Sequence, residues 1–476
     1  MAIFHSDYIR NISKVSIGVL IAQSLSILAA PILTRLYSPA EFGIFSVYVS
    51  VVLTIEVCAC LRYEMTIVLA EKESNARCLF WLSSVIMTMA SILVGVVVIA
   101  VYFITKNEII PLIKWNDLFL LMPLSVFAIS MVNVISLWCT RKKFFSIFAF
   151  IQAGLVIINN LLSILAGHYI AGEGRFLVYS QLASYVIIMI LSGLYIFYKD
   201  KSLLLFPSWR KLISLFIEYK RMALYNTPAS IINIFSQRLP AYTFPISYGL
   251  PSVGYYDLVY RILKLPSQVV GNAIRNVFFQ KASEDFKRSA TFACSLQNNV
   301  NALVRISAFP FFIFGALSIW LFPILFGKEW ADSGWYVLAL LPWLMSSFIV
   351  VPISSAVSIT AQDKAFFRLQ IICFVTRIMV IIIGIALFSS PLITILCFSI
   401  VGCIFQLLIL RIIARSTGLR LLELFDKRIV QYVGVSFVIA LIAFLFVLTH
   451  LYWGAVTITV LGSICFVVYI KMSFVK

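Results

Sequence analysis

Acidic side chains are scarce in this chain. Only 19 Asp and Glu stand against 37 Lys and Arg in 476 residues, and charged residues of both signs make up 12%. Soluble globular proteins carry roughly 25%, so a water-soluble globule is excluded. Histidine is scarcer still: His5, His168 and His450 lie far apart at loops or termini, which argues against a metal site. The nine cysteines form no CxxC pair and sit in apolar runs, Cys58, Cys60, Cys373, Cys397 and Cys403 among them. They read as small core hydrophobes rather than redox or metal groups. Long polar connections are also missing, and with them the room for a soluble catalytic domain.

What the chain has in quantity is hydrocarbon. Hydrophobic residues make up 62% and aromatics 15%, with a mean hydropathy of +1.03. Repeated apolar runs of about 20 residues are what a bilayer demands of spanning helices, so the expected class is an all-α polytopic membrane protein. The first run, Val15 to Leu33, is long enough to span, and Pro31 after Ala29-Ala30 disfavours cleavage there. It reads as a membrane helix rather than a removed signal.

Division at charged and Pro/Gly-rich punctuation predicts fourteen spans. They cover about 13–34, 43–61, 79–104, 117–139, 144–167, 176–198, 224–248, 253–275, 303–326, 334–360, 366–388, 391–411, 430–449 and 452–470. The net charge of +18 would suggest a nucleic-acid partner in a soluble protein. Here it follows from loop asymmetry. Of the 37 basic residues, 27 fall in one alternating set of loops and ends and 5 in the other. The positive-inside bias then places both termini in the cytoplasm.

Two halves resemble each other. Pro39 and Gly43 correspond to Pro251 and Gly254, and Pro111 to Pro323, at offsets of 211 or 212 residues. The expected organisation is two pseudo-symmetric six-helix lobes, residues 1–198 and 224–414, with a cytoplasmic amphipathic linker at 199–223 and a two-helix appendage at 415–476. In the linker, Trp209, Leu212, Ile213, Phe216 and Ile217 alternate with Arg210, Lys211, Lys220 and Arg221, the pattern of a helix lying on a membrane face.

Several polar groups stand where lipid would not tolerate them. Steps of three and four from Gly254 place Asp257, Arg261, Lys264, Gln268, Gly271 and Arg275 on one helical face. A charge at mid-membrane costs about 2.5–3.5 kcal/mol on the insertion scale, so Arg261 and Lys264 imply an aqueous cavity or an anionic ligand. Asp257 and Arg261, at i and i+4, can neutralise each other, which leaves Lys264 unpaired. Asn226, Ser230, Asn233 and Gln237 line a face of the seventh span beside Arg238, and Arg377 lies near the middle of the eleventh. By depth, Arg238, Lys264 and Arg377 fall near the midplane of one lobe and suggest a single cationic site. In the first lobe, Glu56 and Glu64 are eight residues apart and share a face of span two, with Arg62 at its cytoplasmic end. Glu56 or Asp257 is a candidate coupling group for H+ or Na+, a buried Glu reading equally as a structural partner for the first lobe's own polar groups, and Glu64, Arg62 and Arg35 are candidate gating groups.

Four stretches then carry a family resemblance. They are Leu33-Thr34-Arg35-Leu36-Tyr37-Ser38-Pro39-Ala40-Glu41-Phe42-Gly43, Leu61-Arg62-Tyr63-Glu64, Gly254-Tyr255-Tyr256 with Arg261 and Pro266, and Leu325-Phe326-Gly327-Lys328-Glu329-Trp330. The ordered set resembles the polysaccharide-transporter family, the Wzx-type O-antigen or oligosaccharide flippases, which are related to lipid II flippases and MATE-type exporters. The resemblance implies a twelve-to-fourteen-helix, two-lobed transporter of the bacterial inner membrane, without catalytic residues or cofactor, that works by alternating access. Its substrate would be an undecaprenyl-diphosphate-linked oligosaccharide, and glycan polymerases and other assembly proteins would be its partners. Its cationic cavity would map onto Arg261 and Lys264, with Arg238 and Arg377 added by depth. The rival readings are a cation-coupled multidrug exporter, for which a basic site is a poor match, and a membrane glycan polymerase or ligase, which the short external loops disfavour.

Overall fold

A computed structural model describes residues 22–104, 116–170, 172–289, 291–360 and 362–474. The start of the first expected span, with Arg10 and Lys14, and the loop holding Lys106, Pro111 and Lys114 lie outside the described residues. The chain divides into two compact units, residues 1–254 and 255–476. All regular structure among the described residues is helical, and eleven helices are long and apolar enough to cross a membrane. The chain is thus an all-α polytopic membrane protein. Three of the fourteen expected spans are not among the eleven. One begins outside the described residues, and the other two are the helices whose polar faces lower their hydropathy.

The first unit contains α1 (22–36), α2 (Pro39–Ala59), α3 (Glu73–Ile104), α4 (Met122–Arg141), α5 (Phe145–Tyr169), α6 (Gly174–Lys199), α7 (Trp209–Glu218) and α8 (Thr227–Ser247). Helix α2 starts where its sequence says it should. Pro39 occupies the first turn, where its missing N–H costs nothing, and the Ser38 hydroxyl accepts the Glu41 N–H at 3.4 Å. The preceding turn is pinned by the Tyr37 hydroxyl, which donates to the Ser163 carbonyl at 2.7 Å. Gly43 then lies against the carbonyl of Leu250, and Gly254 lies against the carbonyl of Pro39, so closely that a Cβ on either would collide with backbone. The first resembling stretch is therefore a cap, an anchor and a close helix crossing.

Helix α2 stops at Ala59 because the chain turns left-handed. Leu61 (φ 49°) and Arg62 (φ 61°) are non-glycine residues with positive φ, followed by a short 3-10 turn at Tyr63–Met65. Glu64 therefore does not share a helical face with Glu56, as an unbroken span two would require. The break is held by tertiary contacts: the Tyr63 ring stacks on Phe216 of α7 at 5.2 Å and its hydroxyl donates to the Phe216 carbonyl at 2.7 Å. Helix α7 buries Leu212 and Leu215 while Trp209, Ile213 and Ile217 stay exposed, the two-sided apolar pattern of an interfacial helix.

Arg141, Lys142 and Lys143 are three of the basic residues that set the loop asymmetry. Two of them do more. Arg141 Nη1 donates to the carbonyls of Ile67 and Ala70, at 2.9 and 2.6 Å, closing the open end of the helical turn Thr66–Leu69. Lys142 bridges Glu73 and Asp200, the latter at 2.9 Å. Partial burial works against the Asp200 carboxylate, but hydrogen bonds from Ser202 and Lys142 outweigh it and hold its pKa below the ordinary carboxylate range. Burial likewise disfavours the Lys142 ammonium, and its two carboxylate partners outweigh that and raise its pKa.

The sign follows for each group. A depressed Asp200 contributes stability above its unfolded pKa of about 4, lost as pH falls through the folded value; a raised Lys142 contributes stability below about 10.4, lost as pH rises through the folded value. Amide protection in residues 66–73 of the purified protein, taken relative to intrinsic exchange at each pH, should therefore be greatest between these limits and fall on the acid side. Asp200→Asn should lessen the acid-side change by less than about 1 kcal/mol, since the pair is partly solvated. Arg141→Ala should speed exchange there at every pH, by about 2 kcal/mol of local opening energy. Unchanged exchange in both variants would refute the clamp.

The second unit continues α9 (Leu250–Ser289) beyond Gly254 and adds α10 (Ala293–Phe326), α11 (Ser333–Ile353), α12 (Asp363–Leu387), α13 (Pro391–Ser416), α14 (Lys427–Leu448) and α15 (Tyr452–Phe474). Helix α9 extends well past the expected end at 275. Its last turns are charged and held by local pairs such as Gln280 to Glu284 at 3.2 Å, so a split at charged residues ends it early. The Leu325–Trp330 stretch is a helix end: Gly327 (φ 101°) caps α10, and Trp330 is fully buried against Tyr255. Helix α14 contributes Ala440 and Ala443 to a core with Phe309, Ile313 and Ala316 of α10, and Phe466 of α15 stacks on Phe309 at 5.2 Å.

Candidate functional site

In α9, three members of the predicted polar face, Asp257, Arg261 and Lys264, are partnered. Asp257 is 2% exposed, and its Oδ2 accepts Arg261 Nη2 at 2.6 Å across one helical turn. The Arg261 side chain remains 43% exposed. Lys264 is not unpaired, because its ammonium donates to the Tyr260 hydroxyl at 2.6 Å. Thus Arg261 and Lys264 sit one turn apart, each steadied by the residue four positions earlier. Pro266 lies inside the helix two residues later. It removes the N–H that would bond the Ile262 carbonyl, so the turn bearing Lys264 is weakly held by its own backbone.

Arg377 occupies a different environment. It is 4% exposed, and its guanidinium lies 4.3 Å from the Trp343 ring centroid and 4.5 Å from that of Phe398. Trp343 meets Phe398 edge-on at 5.4 Å and stacks on Tyr260 at 5.7 Å, and Tyr260 stacks on Tyr256 at 5.7 Å. Gly402 of α13 leaves the room this needs: a Cβ there would collide with Arg377 Nη2 and come within 2.6 Å of the indole. Arg261, Lys264 and Arg377 thus belong to one unit, with Arg377 enclosed while Arg261 faces out.

Arg238 lies in the first unit, half-buried on α8, one turn before Tyr242. Tyr242 fastens α8 to α2, donating to the Ser50 carbonyl at 2.7 Å and pairing with the Thr54 hydroxyl at 2.5 Å. On the same helix Gln237 donates to Asn233 at 2.6 Å, while Ser230 accepts the Arg62 Nε at 3.0 Å. Arg62 also reaches Glu64 at 3.4 Å, and Glu64 is 7% exposed. Glu56 stands apart from that pair: its Oε1 accepts Asn133 Nδ2 of α4 at 2.6 Å. Arg35 is exposed on α1.

The residues the sequence reading missed are Asn133, Tyr260, Trp343, Phe398 and Gly402. Tyr256, Tyr260 and Lys264 follow at four-residue steps, so that row was visible in the sequence. The others come from separate helices and leave no local signal.

Among solved structures, the fold matches a lipid II flippase, MurJ, in an inward closed conformation, with a TM-score of 0.72 at 15% identity, covering 97% of this chain and 99% of that one. It also matches an inward-facing multidrug resistance MATE family transporter of the MOP superfamily, with a TM-score of 0.57, 12% identity and coverage of 85% and 99%. A substituted form of the Vibrio cholerae MATE transporter VcmN gives 0.56 at 11%, with coverage of 86% and 95%. The chain therefore shares the fold of these solved structures. A comparison with curated protein sequences finds no match. The family described as polysaccharide biosynthesis protein matches residues 32–334, and the chain belongs to it.

Proposed function

We propose that the chain is a flippase that carries a polyprenyl-diphosphate-linked oligosaccharide from the cytoplasmic to the outer leaflet of a bacterial inner membrane, with both termini cytoplasmic. The observation that carries this reading is the pair Arg261 and Lys264, one turn apart on a helix too polar for lipid. A diphosphate cannot cross hydrocarbon unaided, and two fixed cations offer it charge-assisted hydrogen bonds. Family membership supports a substrate from polysaccharide biosynthesis. The polyprenyl tail stays in lipid while the head group passes, and rocking of the two units changes the open side. Glu56, held by Asn133, is the coupling group for H+ or Na+, whereas Asp257 serves Arg261.

Proteoliposomes containing the full chain and an undecaprenyl-diphosphate-linked oligosaccharide test both parts. Lectin should gain access to the oligosaccharide at a rate that depends on the protein and on an imposed proton or sodium gradient, and Glu56→Gln should remove the gradient dependence. Lectin access no faster than in protein-free liposomes would overturn the transport reading. Unaltered gradient dependence in Glu56→Gln would overturn only the coupling.

A further inference from the structure

Of the three cations in this unit's site, Arg261 is exposed and Lys264 half-buried, but Arg377 is enclosed. Rings cover its guanidinium on two sides, and it is 4% exposed. Taking a guanidinium out of water is costly, and desolvated cation–π contacts with Trp343 and Phe398 help to offset that cost. The box has a definite output. Arg377 comes from α12, Trp343 from α11, and Phe398 and Gly402 from α13, so the cation ties three helices together. One indole face of the box carries Tyr260 of α9, and the Tyr260 hydroxyl receives the Lys264 ammonium at 2.6 Å.

We propose that Arg377 is a positioning residue for the cationic site: clasped by Trp343 and Phe398, it fixes the ring on which Tyr260 stacks, and Tyr260 holds Lys264 at its post. The need for such a hold is local. Pro266 weakens the backbone of the turn that bears Lys264, and a lysine stem has four flexible bonds, so neither the helix nor the side chain fixes the ammonium. The aromatic row transfers rigidity from α11, α12 and α13 to that one atom. Arg377 therefore does not touch the substrate head; it acts through Lys264.

This rests on the reading of Lys264 as a diphosphate ligand, and the experiment separates the two. Binding of undecaprenyl diphosphate to the purified full chain in nanodiscs is measured for Lys264→Ala, Arg377→Met, Arg377→Lys, Gly402→Ala and the pairs of each with Lys264→Ala. Lys264→Ala should weaken binding about tenfold or more, and Arg377→Met about tenfold, because a charge-assisted hydrogen bond is lost or misplaced in each. With Lys264 already alanine, Arg377→Met should cost nothing further, the non-additivity expected of residues acting in series. Arg377→Lys, which keeps the charge but not the flat stacking surface, should recover part of the loss. Gly402→Ala removes no charged side chain yet displaces the guanidinium and indole, so it should behave like Arg377→Met even if that variant fails to fold.

Equal losses from Arg377→Met or Gly402→Ala in the presence and absence of Lys264 would overturn the proposal in favour of direct contact or general loosening. Full binding by both in the wild-type background would overturn it outright. Unweakened binding by Lys264→Ala would instead sink the reading of the cationic site, and the positioning role with it.

Discussion

Replacing Arg261 and Lys264 together with alanine is expected to lower oligosaccharide transfer at least about a hundredfold while the protein still reaches the membrane in normal amount. Hydrogen bonds to charged groups contribute about 1.5–3 kcal/mol each, so losing two removes roughly 3–6 kcal/mol of ligand stabilisation, a factor of a hundred or more. One complication is built into the pair. Asp257 is buried and its carboxylate answers Arg261 at 2.6 Å, so deleting the arginine strands a charge whose burial is costly. The informative variant is therefore Asp257→Asn/Arg261→Ala/Lys264→Ala, in which no buried carboxylate is orphaned. Surface glycan in cells that depend on this variant should be absent, and lipid-linked oligosaccharide should accumulate on the inner leaflet. Normal surface glycan with the triple variant would refute the assignment.

The second large effect lies in backbone rather than charge. Gly43→Ala should destabilise the protein by about 1–3 kcal/mol, the range for forcing an extra carbon into a well-packed site. The added Cβ would overlap the Leu250 carbonyl, and backbone cannot swing aside as a side-chain tip can. Gly254→Ala should behave alike, against the Pro39 carbonyl. Gly95→Ala is the control. Its Cβ would meet only the Pro123 side chain, at 3.4 Å, and a helix interior favours alanine over glycine, so that variant should be neutral or slightly stabilised. Thermal unfolding of the three purified variants decides the matter: Gly43→Ala melting no lower than Gly95→Ala would show that the crossing is loose.

Much of the fold was legible because a bilayer forgives so little. Apolar length, basic loops and the helix starts at Ser38-Pro39 all follow from rules that act locally. The polar helices α8 and α9 were legible for the opposite reason, since charges such as Arg261 make no sense in lipid. Extents were less legible: α3, α9 and α10 run on into polar sequence, where helix continues without apolar residues to mark it. The break at Leu61 and Arg62 was invisible because neither residue favours a left-handed backbone, and contacts distant in sequence, from Phe216 and Ser230, help to hold it there. Half of the site was legible for similar reasons. Asp257, Arg261 and Lys264 announce themselves by spacing, but the enclosure of Arg377 depends on Trp343, Phe398 and Gly402 arriving from two other helices.

The paired glycines at the starts of α2 and α9 have a consequence for how that end of the first unit comes apart. Each helix supplies a glycine to the other's carbonyl, so the two close approaches share the same pair of rigid rods. Neither can be relinquished while its twin survives. Separation there is therefore expected to be cooperative, the two close approaches parting together.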